Sequence, residues 1–342
     1  MKTHFGSLVD FFSSLFKDVF HTLLILFRIM IPVSIVVKIL QMIGFIQVLG
    51  QLFYPVMKYT GLPGEMGLVW ATGMITNLFG GIIAFLNISG TMELTVAQIT
   101  TISVMMLVAH TFPIELTIAR KTGVRLISMF FIRLIFAYLF GFIIFHLYAL
   151  LGLNTEIAQI AWHPETMPDD SLATWAVSEL KNYLIIIAFI FCLMLLLRIL
   201  KKIGFIDLIT KALNPFLKVL GIGKEVSTIA LVGLTLGVVY GGALIINEVK
   251  SNPAIPKKDI FYAMVLMGLC HSVIEDTILM VSLGASFTGI LVIRLLLSML
   301  VLFVLVKLTR NASDKFMYKV FLRSEKTKFR NKTDQENYSQ EL

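Results

Sequence analysis

Two short clusters carry imidazole, hydroxyl and carboxylate groups at the same spacing: His110-Thr-Phe-Pro-Ile-Glu115 and His271-Ser-Val-Ile-Glu275-Asp276. In each, a hydroxyl follows the histidine (Thr111, Ser272) and an acid stands five residues after it (Glu115, Asp276). Both clusters come directly after apolar runs, where an ionisable group costs at least roughly 2.5–3.5 kcal/mol on insertion scales. Such groups are kept where they pair, line an aqueous cavity or carry a proton or ion. Glu115, Glu275 and Asp276 are therefore candidates for H+ or Na+ coupling, with His110 and His271 tuning them or touching a solute. Arg133 and Arg294 lie deep in the last apolar run of each half, too deep to snorkel to water easily. They read equally as internal counter-ions for the acids and as ligands for an anionic solute. Pro113 lacks a backbone N–H and disfavours helix at Phe112, so a helix break is expected in the first cluster. His271 and Glu275, four apart, would share a helix face.

A second recurring feature is a glycine pair inside an apolar run: Asn77-Leu-Phe-Gly80-Gly81, and Tyr240-Gly241-Gly242 followed by Asn247-Glu248. Paired glycines let a helix unwind or let another backbone approach closely. Interrupted spans at corresponding places in two halves of a chain point to the midplane site of a transporter. There, half-helix N-termini face an anionic group and freed carbonyls face a cation. On that reading Asn77, Gly80, Gly81, His110, Thr111, Gly241, Gly242, Asn247, His271 and Ser272 contact the solute, and Glu248 joins the ion-coupling acids. The competing reading is structural: the glycines pack helices together, and the His–acid pairs satisfy backbone freed at a break.

The elements that must position these groups are membrane helices. Of 342 residues, 57% are apolar and 15% charged, against roughly 45–50% and about 25% in ordinary soluble domains. Ten spans of about 20 residues would take most of the chain and leave no room for a soluble catalytic domain. The expected fold is an all-α polytopic membrane protein with eight to ten transmembrane helices. Apolar runs are His21–Met42, Glu65–Leu86, Leu94–Ala109, Val124–Leu151, Tyr183–Leu200, Val226–Ile246, Ile260–Cys270 and Ile290–Leu308. The mixed stretches Ile43–Thr60 and Ile203–Gly221 contain Pro and Lys and either span or lie along the interface. Residues 1–20 carry Asp10, Lys17 and Asp18, so the first span is expected to act as an uncleaved insertion signal. The tail from Thr309 is polar and mostly basic and is expected to be poorly ordered.

The two halves repeat each other. Ile43-Gly-Phe-Ile recurs as Ile203-Gly-Phe-Ile, and Pro55, Lys58, Gly61, Glu65 and Gly73 recur as Pro215, Lys218, Gly221, Glu225 and Gly233. After a slip of one residue, Gly80-Gly81 aligns with Gly241-Gly242, His110 with His271, and Ile132-Arg133-Leu134 with Ile293-Arg294-Leu295. Spacing kept at Gly, Pro, His and Arg identifies a tandem duplication. Charge placement suggests how the copies sit. The loop before the last span holds Arg120, Lys121 and Arg125 in the first copy and no charge over Ser282–Thr288 in the second. Conversely, Asn87–Gln98 has no Lys or Arg, whereas its counterpart holds Lys250, Lys257 and Lys258. A bias that changes sign between copies is expected of inverted-topology repeats. The resulting organisation is a cytoplasmic segment 1–20, a first repeat 21–152, an acidic extracytoplasmic linker 153–180, a second repeat 181–308 and a cytoplasmic tail 309–342. Each repeat has about five helical elements, with broken helices at the repeat interface.

Several other signals are excluded. Gly221-Ile-Gly-Lys224-Glu lacks the spacing and the Ser/Thr of a phosphate loop, and Ile88-Ser89-Gly90 has Asn87 where a serine intramembrane protease needs glycine. No His-Glu-x-x-His is present, and Cys192 and Cys270 form no metal-binding or disulfide pattern. The net charge of +8 fits basic cytoplasmic loops better than nucleic acid.

The Asn77-x-x-Gly-Gly break, the segment Ala109-His-Thr-Phe-Pro-Ile-Glu115 and the echo Leu269-Cys-His-Ser-Val-Ile-Glu-Asp276 together resemble the nucleoside-recognition, or Gate, domain family. The resemblance covers roughly residues 20–150 and 180–308. The chain looks like two fused Gate domains, similar to the paired spore maturation proteins A and B. Gate domains also occur in concentrative nucleoside transporters and in the membrane part of ferrous iron transporter B, so the resemblance implies transport by analogy. The expected function is an inner-membrane permease for a small solute, coupled to H+ or Na+, with both termini cytoplasmic. The alternative is a non-transporting scaffold for envelope or developmental assembly. No cofactor, metal or nucleic acid is expected; the partners are the bilayer and the solute, and a second copy of the chain stays open.

Overall fold

The computed structural model describes residues 2–90, 92–160, 171–205, 222–252 and 255–323, with a few positions between 208 and 215. Among them the regular structure is entirely helical. Six stretches are long and apolar enough to cross a membrane: Asp10–Met42, Val96–Lys121, Leu126–Leu151, Leu172–Lys202, Lys257–Ser282 and Thr288–Thr309. This is an all-α polytopic membrane protein.

The first helix, α1 (Lys2–Met42), begins well before His21, and the part of it apolar enough to span starts at Asp10. Helix α2 (Phe45–Met57) has 13 residues, about 20 Å of helix, which falls short of a hydrocarbon core about 30 Å thick. Residues 203–221 lie mostly outside the described residues. Two short helices follow, α3 (Met66–Ile75) and α4 (Leu78–Ser89), separated by one break at Thr76-Asn77. Asn77 caps α4 by accepting a hydrogen bond from the Gly80 N–H at 2.9 Å. Helix α5 (Val96–Val108) starts in a capping box of Thr95 and Gln98, and α6 (Phe112–Lys121) follows after a second break. The long helices α7 (Leu126–Leu151) and α8 (Leu172–Lys202) come next; Ser171 caps α8 by accepting from the Thr174 N–H.

The second half repeats the pattern as α9 (Lys224–Leu236), α10 (Val238–Ser251), α11 (Lys257–Leu269) and α12 (Val273–Ser282). A π-helical turn, Thr288–Ile293, leads into α13 (Arg294–Thr309), and α14 (Asp314–Val320) closes the described chain. The start of α4 at Leu78 and of α10 at Val238 differ by 160, whereas Val96 of α5 and Lys257 of α11 differ by 161. The one-residue slip therefore falls in the loop after α4 and α10. The structural counterpart of Gly241 is Gly81, not Gly80, and the counterpart of Asn77 is Gly237.

The chain divides into two compact units. The first comprises Met1–Thr111, Ala137–Ile209 and Ile274–Arg294; the second comprises Phe112–Phe136, Thr210–Val273 and Leu295–Leu342. In the first unit α4 packs on α1 and α3, and α5 packs on α3 and on the π turn. In the second, α9 packs on α10 and α11, and α10 packs on α6. Each unit thus combines elements from both halves of the sequence.

The tail differs from its sequence expectation. Residues 314–323 dock within the second unit: Phe321 stacks on Phe261 at 4.7 Å between ring centres, and Met317 and Leu322 are buried. The Arg125 N–H donates to the Phe321 carbonyl at 2.8 Å, and the Arg323 N–H donates to the Gly123 carbonyl at 2.9 Å. Apolar residues spaced through a basic segment provide the burial that composition alone concealed.

Candidate functional site

Both His–acid clusters fall at helix breaks. Helix α5 ends at Val108, and Ala109 and His110 leave helical geometry before Thr111 adopts φ 51°. In the second copy α11 ends at Leu269, Cys270 is extended, and Ser272 adopts φ 46°. Left-handed backbone is uncommon for any non-glycine residue and unusual for a β-branched one such as Thr111. The second break forms without a proline, so Pro113 is not its common cause. Pro113 instead sits in the first turn of α6, where its missing N–H is harmless.

The broken strands of backbone meet other broken helices. The Thr111 N–H donates to the Gly73 carbonyl at 3.0 Å, near the end of α3. In the second unit Gly237, at φ 97° between α9 and α10, lies so near Ser272 that a Cβ there would sit 2.7 Å from the hydroxyl oxygen. In the first unit the chain after α5 thus meets the last turn of α3, and in the second the chain after α11 meets the break between α9 and α10.

Each histidine closes the helix before it. His110 Nδ1 lies 2.9 Å from the Met106 carbonyl, and His271 Nδ1 lies 2.8 Å from the Met267 carbonyl. A carbonyl only accepts, so Nδ1 carries the proton and a neutral ring has its lone pair on Nε2. In the second unit this Nε2 of His271 lies 3.6 Å from Glu115 Oε1. The other oxygen of Glu115 meets Arg133 Nη1 at 2.5 Å, and the Arg133 guanidinium lies 5.2 Å from the centre of the Phe112 ring. All three ionisable side chains are buried. In the first unit Arg294 Nη1 donates to Asp276 Oδ2 at 3.2 Å, and both residues are buried. Arg133 and Arg294 are thus in ion-pair contact with the cluster acids.

Other expected site residues lie differently. His271 precedes α12 rather than forming part of it, so His271 and Glu275 do not share a helix face; the left-handed Ser272 between them redirects the chain. Gly81 packs against Gly73, where a Cβ would meet Gly73 Cα at 3.1 Å, and Gly241 packs against Gly233 in the same way at 2.5 Å. A Cβ on Gly80 would strike Thr76, and one on Gly242 would strike Ile118 of α6. All four glycines are buried in helix–helix seams. Asn247 and Glu248 lie near the C-terminal end of α10, with Asn247 ten residues on from Gly237, about 15 Å along the helix axis. That rise places them away from the break.

One buried acid escaped the sequence reading. Glu179 lies two turns inside α8, where Ser34 donates to Glu179 Oε2 at 3.2 Å and the Tyr183 hydroxyl donates to Ser34 Oγ at 2.9 Å. These partners are neutral. The available signal was the Ser171 cap, which starts the helix eleven residues before the apolar run at Tyr183 and moves Glu179 from the linker into a span.

The fold and site define a class: a polytopic helical membrane protein whose helices break at buried histidines and which carries two buried acid–arginine pairs. Comparison with known sequences gives the family resemblance a definite extent. Residues 183–291 match the model of the Gate family, described as "Nucleoside recognition". Over 291 residues the chain is 29% identical to the "Uncharacterized membrane protein YvoD" of Bacillus subtilis (strain 168), covering 80% of this chain and 87% of that relative. No solved structure matches.

Proposed function

We propose that the chain is a non-enzymatic secondary transporter or permease of a small solute in the bacterial inner membrane. Its two Gate-like repeats have inverted topology and both termini are cytoplasmic. The observation that carries this reading is the recurrence of one construction: a helix closed by histidine, a left-handed hydroxyl residue, a second half-helix and a buried acid–arginine pair. Breaks of this kind expose backbone groups and half-helix ends to a ligand at membrane depth. The proposed solute contacts are His110, Thr111, His271 and Ser272, with Asn77 holding the start of α4. Glu115, Glu275 and Asp276 are the coupling acids for H+ or Na+, held by Arg133 and Arg294. The glycine seams let the half-helices approach closely.

The family description makes nucleosides the first solute class to test. The experiment is a thermal-stability screen of purified protein against nucleosides, small organic anions and amino acids, beside the His110→Ala/His271→Ala variant. A ligand that binds the folded state raises its stability, by roughly 2.7 kcal/mol at a hundred times Kd. The expected result is a concentration-dependent shift for one class that the double variant lacks. An equal shift in both proteins would reject the solute assignment.

The scaffold reading places function in the tail, and the docked segment refines its test. Deleting residues 310–342 removes Met317, Phe321 and Leu322 from their contacts and is expected to cost on the order of 3 kcal/mol. Deleting only residues 324–342 keeps those contacts. A transporter is expected to keep its ligand response after the shorter deletion; a scaffold loses its cellular function.

A further inference from the structure

The docked tail creates a second feature, independent of the transport reading. A cleft of about 600 Å3 opens in the second unit where α14 and the chain after it lie against the start of α7. Its charged lining is Arg120, Arg125, Lys319 and Arg323, with no acidic side chain among the lining residues. Two of these cations precede α7; the other two arrive from about 200 residues further along the chain. Arg125 holds the tail in place: its Nε donates to the Leu322 carbonyl at 2.8 Å and its Nη2 to the Tyr318 carbonyl at 2.8 Å. Ser128 also donates to the Val320 carbonyl.

Gathering four like charges at one cleft opposes docking unless an anion occupies the space between them. Guanidinium and ammonium groups together suit a phosphate, the former by bidentate hydrogen bonds and the latter as a point charge. The cleft also sits at the N-terminal end of α7, whose dipole favours negative charge. What lies beside it selects the source of that phosphate. Ile127 lines the cleft and is 68% exposed, and Phe131 and Ile135 continue the same exposed stripe along α7 at four-residue spacing. A headgroup phosphate among the cations would leave acyl chains lying along this stripe.

We propose that this cleft binds the phosphate of an anionic phospholipid, with the tail residues Lys319 and Arg323 completing a site begun by Arg120 and Arg125. A basic pocket at the end of a membrane span is suited to such a headgroup. The test uses the full-length protein in detergent, with thermal stability followed as phosphatidylglycerol, phosphatidylcholine or inorganic phosphate is added. Two variants that remove the same charge are compared: Arg120→Gln/Lys319→Gln within the cleft, and Lys121→Gln/Lys315→Gln on exposed cations outside its lining. Wild type and the outer variant are expected to respond to phosphatidylglycerol alone. The cleft variant is expected to need roughly tenfold more of it or greater. Equal responses in the two variants, or no response in wild type, would overturn the site. A shift of equal size with inorganic phosphate would overturn the lipid assignment.

Discussion

In the first cluster Glu115 meets Arg133 at 2.5 Å and stands 3.6 Å from His271, whereas in the second the shorter Asp276 meets Arg294 at 3.2 Å. The second copy also has a neighbouring acid, Glu275, where the first has Ile114. A further difference lies in the helix that delivers the arginine. Arg133 comes from the regular helix α7, but Arg294 directly follows the π turn Thr288–Ile293. That turn is held by Ser286, whose N–H donates to Thr100 Oγ1 at 2.8 Å, and by the Tyr148 hydroxyl at 3.1 Å from Thr288 Oγ1. Extra-residue turns of this kind cluster at functional positions. Both copies thus keep a buried acid–arginine pair eighteen residues apart, while the surroundings of the pair differ. On the proposed reading Glu115, Glu275 and Asp276 all take part in coupling, and the two copies differ in how the arginine is delivered: from a regular helix in the first and from behind a π turn in the second.

The largest effect is expected from Arg133→Ala, which takes away the ion pair that Glu115 makes at 2.5 Å and costs about 3–5 kcal/mol. Arg294→Ala is expected to cost less, because the π turn before Arg294 can readjust where the regular helix α7 cannot. Denaturation of the two variants in the same detergent measures the difference, and equal losses would show that the π turn does not ease the second pair.

A sharper comparison of the copies comes from their glycine seams. Gly241→Ala would bring a methyl 2.5 Å from Gly233 Cα and 2.8 Å from Met267 Sδ, whereas Gly81→Ala meets Gly73 Cα at 3.1 Å and the mobile end of Met106 at 2.6 Å. Overpacking costs roughly 1–3 kcal/mol, with Gly241→Ala expected near the top of that range and Gly81→Ala near the bottom. Melting temperatures in the reverse order would contradict the seam geometry.

The smallest effect is expected at the left-handed residues. Thr111→Gly relieves a conformation that a β-branched residue resists, so it should stabilise by roughly 0.5–1 kcal/mol. Ser272→Gly should gain less, since serine is not β-branched with carbon. Destabilisation by both would show that the hydroxyls make contacts worth more than the strain.

Much of this arrangement was legible in the sequence because its parts recur: a histidine, a hydroxyl one residue on, an acid four residues later and an arginine eighteen residues beyond that. Spacing fixed which residues correspond, and burial of charge in apolar runs required partners for them. What spacing does not encode is where a repeat slips. The shift lies in the loop after α4 and α10, so Gly81 was matched one residue away from Gly241. Helical periodicity also extrapolates through a break, which put His271 and Glu275 on one face although Ser272 turns the chain between them. Asn247 and Glu248 drew attention by polarity, yet the rise of α10 carries them away from Gly237. Glu179 was hidden because hydropathy starts the span at Tyr183, while the cap that starts the helix is Ser171. In the tail, lysines and arginines dominate the composition, and three apolar residues decide the packing.

The most direct test of the central claim is solute uptake into proteoliposomes under an imposed pH or Na+ gradient, with nucleosides, small organic anions and amino acids, for wild type, Asp276→Asn and Glu115→Gln. Wild type is expected to show gradient-driven accumulation of one solute class. Asp276→Asn and Glu115→Gln should both lose the response to the gradient while retaining exchange of the same solute. Absence of uptake across the panel, or accumulation unchanged in Asp276→Asn, would contradict it.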